Sequence, residues 1–390
     1  MGTTIYLDAP RVPAAPVSTQ RLTARPRAGR PRVAVVVPLW WHGGVERQML
    51  GMIRHSRHLV DWVGVWVGGH PLFSQAMARE LAEVTTIHDL QTDSDFGDID
   101  FAVVWGWMQP EPWMQQLARR IVAASHGAGQ WNNNQLNTIE PYCVGAVAVS
   151  EVARETVPDA IKSRMVVIPN GVELDRIAPT RSRARLRAEL GIGDRIAVGY
   201  VGRFSVEKNP LATAAAVGVL RRKDPNQWVA VNVGPFFDDT HRAWHYQEAE
   251  RLNPGGNLWI DPPQHVGDIY AALDCNVLAS PSEGFALVIL ECQAAGLPLV
   301  CTPVGRVPQM NDLHGQLQWQ IDVGADAEQI AAQVVLATHG SNDPRVTRAR
   351  DVIWTHHSAA KMATEWGEYF LNLQAQHGGK YQSCRSVALR

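Results

Sequence analysis

From Val33 onward the chain repeats one pattern: a short apolar, β-branched run, a helical stretch, then another run. Val33 to Pro38 (VAVVVP) is apolar at every position, which suits a strand buried on both faces of a parallel sheet. A half-exposed antiparallel strand would alternate instead. Trp62 to Val67, Val84 to Ile87, Phe101 to Trp105, Ile121 to Ala124 and Ala146 to Val149 repeat the pattern, with polar helical stretches between several of them. Short β-branched runs alternating with helices predict a doubly wound α/β sheet. A second series begins near Arg195: the strand IAVGYVGRF, then an alanine-rich helix, NPLATAAAVGVLRRK, with a proline at its first turn. Trp228 to Val233, Leu258 to Ile260, Cys275 to Ala279 and Pro298 to Thr302 read as its further strands.

Two α/β domains of similar size follow, consistent with a length of 390 residues. Residues 1–32 hold six arginines, five prolines and one acid, Asp8, and read as a flexible basic leader. The expected organisation is a first domain over 33–175, a linker over 176–190 with Pro179 and dense arginines, and a second domain over 191–350. A final amphipathic helix over 351–373, crossing back to the first domain, and a tail over 374–390 complete it. With 46% hydrophobic residues the chain is not disordered. A net charge of -2 gives no global pull toward nucleic acid or anionic lipid. Five scattered cysteines (143, 275, 292, 301 and 384) without C-x-x-C spacing read as reduced thiols of a cytoplasmic protein. No run of 18 apolar residues and no secretory layout is present, and Tyr6 stands where N-myristoylation wants Ser or Thr. The helix Val45 to His58 sets Arg47, Arg54 and Arg57 beside Met49, Leu50 and Ile53; it suits packing on the sheet or docking at a lipid surface.

Chemistry concentrates in the second half. Gly202-Arg203-Phe204-Ser205-Val206-Glu207-Lys208-Asn209-Pro210 joins an apolar strand to a helix, and ligands of such sheets bind outside the strands' carboxyl ends. Arg203 and Lys208 would there face a phosphate; the bland alternative is a solvated basic loop. Ser280-Pro281-Ser282-Glu283-Gly284-Phe285-Ala286-Leu287-Val288 then runs from a strand into a helix that contains Glu291. Gly284 permits close backbone approach, and the free N–H groups of Phe285 to Val288 make an anion site. Ionised Glu283 and Glu291 accept hydrogen bonds, as sugar and ribose diols require; the alternative is a dipole-stabilising Glu and a surface Glu.

ASPSEGFALVILECQAAGLPLVCTPVG resembles the E-x7-E signature of retaining glycosyltransferases of the GT-B fold, the family 4-like group that includes sucrose synthases and mannosyltransferases of glycolipid assembly. Tyr270 to Asp274, Gly202-Arg203 with Glu207 to Pro210, Pro169-Asn170-Gly171-Val172 and Gly43-Gly44-Val45-Glu46-Arg47 match that family's other blocks, in order. The resemblance implies two Rossmann-like domains facing across a cleft. It implies that Arg203 and Lys208 hold the donor diphosphate, Glu291 the nucleotide ribose, and Glu283 the transferred sugar. Phe285, Ala286 and Leu287 would offer backbone N–H groups, and Gly43 and Gly44 would line the cleft. His126, after the strand Ile121 to Ala124, resembles the histidine that touches the donor sugar.

One departure is Arg306, where the family carries a small residue. The resemblance implies a nucleotide-sugar as substrate, a glycan, lipid or small-molecule acceptor, no nucleic acid partner, and peripheral membrane contact at most. No metal is required when two fixed cations meet the diphosphate. Asp93-Ser94-Asp95 spells D-x-D but sits in a polar loop and reads as a solvated turn. The competing readings are a sugar-nucleotide epimerase or phosphorylase on the same fold, or a non-catalytic binding relative. Eight of 14 tryptophans precede residue 150; Trp40, Trp41, Trp105 and Trp107 fall at or just past strand ends and Trp131 in the loop after His126, which predicts either an aromatic acceptor pocket or core packing.

Overall fold

The computed structural model describes residues 4–5, 29–37, 43–68, 75–93, 95–105, 109–117, 119–127, 136–263 and 265–377. Trp40, Trp41, Trp107, Trp131, Ser94, Cys384 and Tyr6 lie outside them, as does most of the leader. The chain forms two compact units. The N-unit is Pro13–Gly171 with Ala359–Arg390; the C-unit is Val172–Ser358 with Met1–Val12.

Among the described residues there are fourteen strands: β1 (Thr4–Ile5), β2 (Arg32–Val37), β3 (Asp61–Val67), β4 (Ile87–Asp89), β5 (Phe101–Trp105), β6 (Ile121–Ser125), β7 (Cys143–Ala148), β8 (Met165–Val167), β9 (Ile196–Val201), β10 (Trp228–Val233), β11 (Asn257–Ile260), β12 (Cys275–Leu278), β13 (Leu299–Cys301) and β14 (Trp319–Gln320). The N-unit sheet has the order β4-β3-β2-β5-β6-β7-β8, and every pairing is parallel. The C-unit sheet has the order β1-β11-β10-β9-β12-β13-β14, again wholly parallel. Apart from the edge strand β1, each sheet starts in the middle and winds outward in both directions. The strand order therefore reverses between β2 and β5 and between β9 and β12, and such reversal points open a crevice at the carboxyl ends.

The continuous apolar runs are buried as their pattern requires. Val33, Val35 and Val37 of β2 pack with Met49, Leu50 and Ile53 of the helix Gly44–Ser56. Met362, Trp366, Phe370 and Leu373 of the final helix join the same core. In the C-unit, Val198, Val277 and Val300 meet Ala216 and Val217 of the helix Leu211–Arg221 on one side of the sheet. Phe204, Ala214 and Trp259 form a smaller aromatic cluster.

Four expectations need revision. Residues 176–190 are not an open linker: Ser182 caps a helix over Arg183–Glu189, and Arg183 and Arg187 bond Asp274 at 2.6 and 3.0 Å. The final helix is two helices, Pro344–His356 and Ala359–His377. The break is set from outside, because the Val172 amide donates to the His357 carbonyl at 2.8 Å and Val172 bridges Ser358. Thr4–Ile5 of the leader adds a strand beside β11. Trp105 is not a pocket wall; it is buried between His126 and Trp366, with ring centroids 4.5 and 5.7 Å away. Two strands, β8 and β14, were not foreseen; they are three and two residues long and carry too little pattern to read.

Candidate active site

The loops after β9 and β12 leave neighbouring strands on either side of the C-unit's reversal point, so residues 75 apart in sequence meet there. The first loop is anchored by Phe204, which is buried and stacks on Phe236 with centroids 4.3 Å apart and planes 9° from parallel. Its amide donates to the Pro235 carbonyl at 3.1 Å, and the Tyr200 hydroxyl donates to the Arg203 carbonyl at 2.6 Å. A 3-10 turn over Val206–Lys208 then ends at Asn209, which takes the left-handed conformation (φ 48°) that asparagine tolerates better than most residues. Pro210 opens the following helix.

Lys208 is thereby presented to Glu283, and its ammonium bonds both carboxylate oxygens, at 2.7 and 2.6 Å. Glu283 is 7% exposed. A carboxylate taken so far out of water requires a partner, and the ammonium supplies one. Arg203 bonds Glu207 at 2.9 Å and lies over the Phe237 ring at 5.6 Å, which orients its guanidinium. The two cations are thus held separately, each by its own carboxylate.

The second loop leads into the helix Leu287–Ala294. Its N-cap is Ala286, without a side-chain cap, so the first helical N–H groups have no intrahelical partner. Phe285 is buried, its ring edge-on to His357 at 5.4 Å, which fixes the backbone of Gly284 to Leu287. Glu291 lies in the helix and accepts a 2.7 Å bond from the Tyr270 hydroxyl. Burial first, then the charge of Glu291, pushes the Tyr270 phenol well above its ordinary range, so it remains a donor.

Among the predicted residues, Arg203, Lys208, Glu283, Gly284, Phe285, Ala286, Leu287 and Glu291 all lie in the two loops and the helix at this reversal point. Glu207, Phe237 and Tyr270, which orient them, were not singled out for that part. Tyr270 could have been found from its place in a matched block, while Phe237 carries no signal short of the fold.

His126, Gly43 and Gly44 belong to the N-unit and are described within it. Gly43 is the extended N-cap of the helix Gly44–Ser56, whose amino end also lacks a side-chain cap. Farther along, Gln48 is buried and binds Gly171 twice, donating to its carbonyl at 2.8 Å and accepting its amide at 3.0 Å. That pair ties the G-G-V-E-R block to the P-N-G-V block. His126 follows β6 directly, and its Nε2 is buried without a hydrogen-bond partner among the described residues. Burial lowers its pKa to about 4, so the ring is neutral at pH 7.

The helix Gly44–Ser56 turns its apolar residues into the core, and Arg47 pairs with Glu80 through two bonds of 2.6 and 2.9 Å. No described helix is long and apolar enough to cross a membrane. In the D-x-D segment, Asp93 pairs with His88 at 2.8 Å and Asp95 accepts the Gly97 amide at 2.9 Å, as a turn does. Among the described residues no cluster of His, Cys, Asp and Glu suited to a metal ion is found. Cys143, Cys275, Cys292 and Cys301 are buried free thiols. Burial pushes Cys301 up to about 12.

Known proteins resemble the chain in sequence and in fold. The sequence model of the family "Glycosyl transferases group 1" matches residues 195–338. The D-inositol 3-phosphate glycosyltransferase of Corynebacterium jeikeium is 34% identical over 159 residues, covering 38% of each chain. That of Streptomyces avermitilis is 30% identical over 230 residues, 52% of this chain and 49% of the relative. The chain thus spans about half or less of the curated relatives it matches. In structure it is similar to Anabaena HepE in complex with UDP-glucose, with a TM-score of 0.72 and 16% identity over 88% of this chain and all of that one. It is also similar to WaaG, a glycosyltransferase involved in lipopolysaccharide biosynthesis, with a TM-score of 0.63 and 15% identity over 87% and 99% of the two chains. Residues 195–338 are thus similar to the group 1 glycosyltransferases, within a chain that has the GT-B fold.

Proposed function

We propose that the protein transfers a sugar from a nucleoside diphosphate sugar to an acceptor hydroxyl, with retention and without a metal ion. One observation carries this reading: the Lys208–Glu283 pair stands at the reversal point, with Glu283 on the loop that opens the uncapped helix Leu287–Ala294. The pair unites a cation for phosphate with an acceptor for hydroxyls, and both are held in place before any ligand arrives.

An incoming diphosphate competes with Glu283 for Lys208. As the ammonium turns toward phosphate, the Glu283 carboxylate is released to accept hydrogen bonds from the sugar. Arg203 and the amides of Phe285 to Leu287 meet the remaining phosphate charge. These groups stabilise the leaving diphosphate, and such electrostatic contributions are worth about 3 to 4 kcal/mol each in a closed site. The leaving phosphate accepts the acceptor's proton on the face where the new bond forms. Glu291, oriented by Tyr270, takes the ribose diol.

The named relatives make a phosphorylated polyol the first acceptor to test, and HepE makes UDP-glucose the first donor. The test is transfer by Lys208→Ala and Glu283→Ala, with a thermal-shift screen of UDP, GDP and ADP and their sugars. One nucleotide should stabilise the protein selectively. Both variants should lose about a hundredfold or more in kcat/KM. Full activity in either variant, or no shift with any nucleotide, would sink the proposal.

A further inference from the structure

The N-unit contains a cavity of about 740 Å³ that the proposed reaction does not use. It lies at the amino ends of the strands: Cys143 and Val144 open β7, Arg119 precedes β6, and Arg164 precedes β8. His126, at the carboxyl end of β6, is a strand's length away, on the order of 15 Å. The far wall is the helix Ala359–His377, through Tyr369, Leu373 and His377.

Three features mark the cavity as a site. Arg119 has φ 61°, the left-handed conformation that a non-glycine side chain seldom adopts, and this exposed residue lines the cavity. Arg164 is fixed opposite by the Cys143 carbonyl at 2.7 Å and by Glu140. Tyr369 lies over Gly145, where any Cβ would meet its hydroxyl oxygen at 2.2 Å, and that buried hydroxyl has no hydrogen-bond partner. A buried hydroxyl of this kind calls for an acceptor that the protein does not supply. Val144, Val166 and Leu373 line the apolar part of the cavity, with Asn372, Gln376 and His377 beside them.

We propose that this cavity is a second binding site, for an anionic amphiphile of small-molecule size. A phosphate or carboxylate head would sit between Arg119 and Arg164, and an oxygen beside the head would accept the Tyr369 hydrogen bond. The apolar body would cover Val144, Val166 and Leu373. Guanidinium forks suit such heads, and a volume in this range suits such a ligand.

Calorimetric titration with octyl phosphate, octyl glucoside and inorganic phosphate tests the site. Arg119→Gly removes the guanidinium while keeping the left-handed turn, and Tyr369→Phe removes only the hydroxyl. Octyl phosphate should bind the full chain. Arg119→Gly should weaken it about tenfold or more, and Tyr369→Phe about threefold. Both variants should keep the wild-type thermal shift with nucleotide, which reports on the C-unit site alone and so separates this proposal from the preceding one. Absence of octyl phosphate binding, or equal affinity in both variants, would overturn the site. Equal binding of inorganic phosphate would make it a free-phosphate site, and equal binding of octyl glucoside a merely apolar one; either overturns the amphiphile.

Discussion

Tyr270 is a residue whose effect runs through another. Its hydroxyl, buried and held protonated, fixes one carboxylate oxygen of Glu291 at 2.7 Å. Tyr270→Phe should cost about 1.5 to 3 kcal/mol in urea unfolding, as loss of a hydrogen bond to a charged group does. It should also raise KM for the donor several-fold and leave kcat nearly unchanged, because ribose lies away from the reacting bond. A fall in kcat at constant KM would remove Glu291 from the ribose. His126 makes a prediction in pH. Its folded pKa, about 4, lies below the ordinary 6.5, so the unfolded chain binds more protons between those values. Stability should be fully present above pH 6.5 and fall as pH drops toward 4, by about 3 kcal/mol from this group. In His126→Asn that share of the acid sensitivity should vanish, measured as the difference in unfolding free energy between pH 7 and pH 4. Activity between pH 5 and 8 should show no step from His126, because the ring is neutral throughout.

Elements were legible where pattern is local, and illegible where a distant contact sets them. The β-branched runs marked β2, β5, β6, β9, β10 and β12 nearly to the residue, because a strand covered on both faces must be apolar throughout. The loops after β9 and β12 were legible as chemistry, since glycine, cations and carboxylates stand where ligands of such sheets bind. That Lys208 and Glu283 bond each other was not, because 75 residues separate them and only the strand order brings them together. The helix break at His357 and Ser358 was equally hidden, being imposed by Val172. Loop packing also rests on a contact that no local pattern announces. Gly234, after β10, has φ 149°, and a Cβ there would meet the Gly202 carbonyl oxygen at 1.8 Å. Gly234→Ala should therefore displace the Gly202–Lys208 loop and cost about 3 kcal/mol or more in unfolding free energy. A variant as stable as the parent, with unchanged donor affinity, would show that the loop adjusts freely.

At the scale of the molecule, each unit is built from chain segments that are not contiguous. The helix Ala359–His377 comes last in the described sequence, yet Met362, Trp366, Phe370 and Leu373 belong to the core of the N-unit, whose sheet begins at Arg32. Each of these side chains contributes roughly 1.5 to 3 kcal/mol by burial, so the four together offset about 6 to 12 kcal/mol. That equals the whole stability of an ordinary domain, about 5 to 15 kcal/mol. Every described residue of that core belongs to the N-unit, and the C-unit's own buried hydrophobic residues run on to Ile353, before the last helix begins. A chain ended at Ser358 should thus lose the N-unit's fold while keeping the C-unit's. Limited proteolysis should cut such a chain rapidly within 33–171 and leave 172–358 resistant, and the nucleotide that stabilises the full chain should still bind the fragment. Under the proposed function, transfer should be lost together with the N-unit. Resistance of both halves would mean that the N-unit core closes without its last helix. Loss of nucleotide binding together with the N-unit would mean that residues of 203–291 do not hold the donor unaided. Trp366→Ala applies the same reasoning within the intact chain: a cost of about 3 to 5 kcal/mol, confined to the N-unit, with nucleotide binding retained.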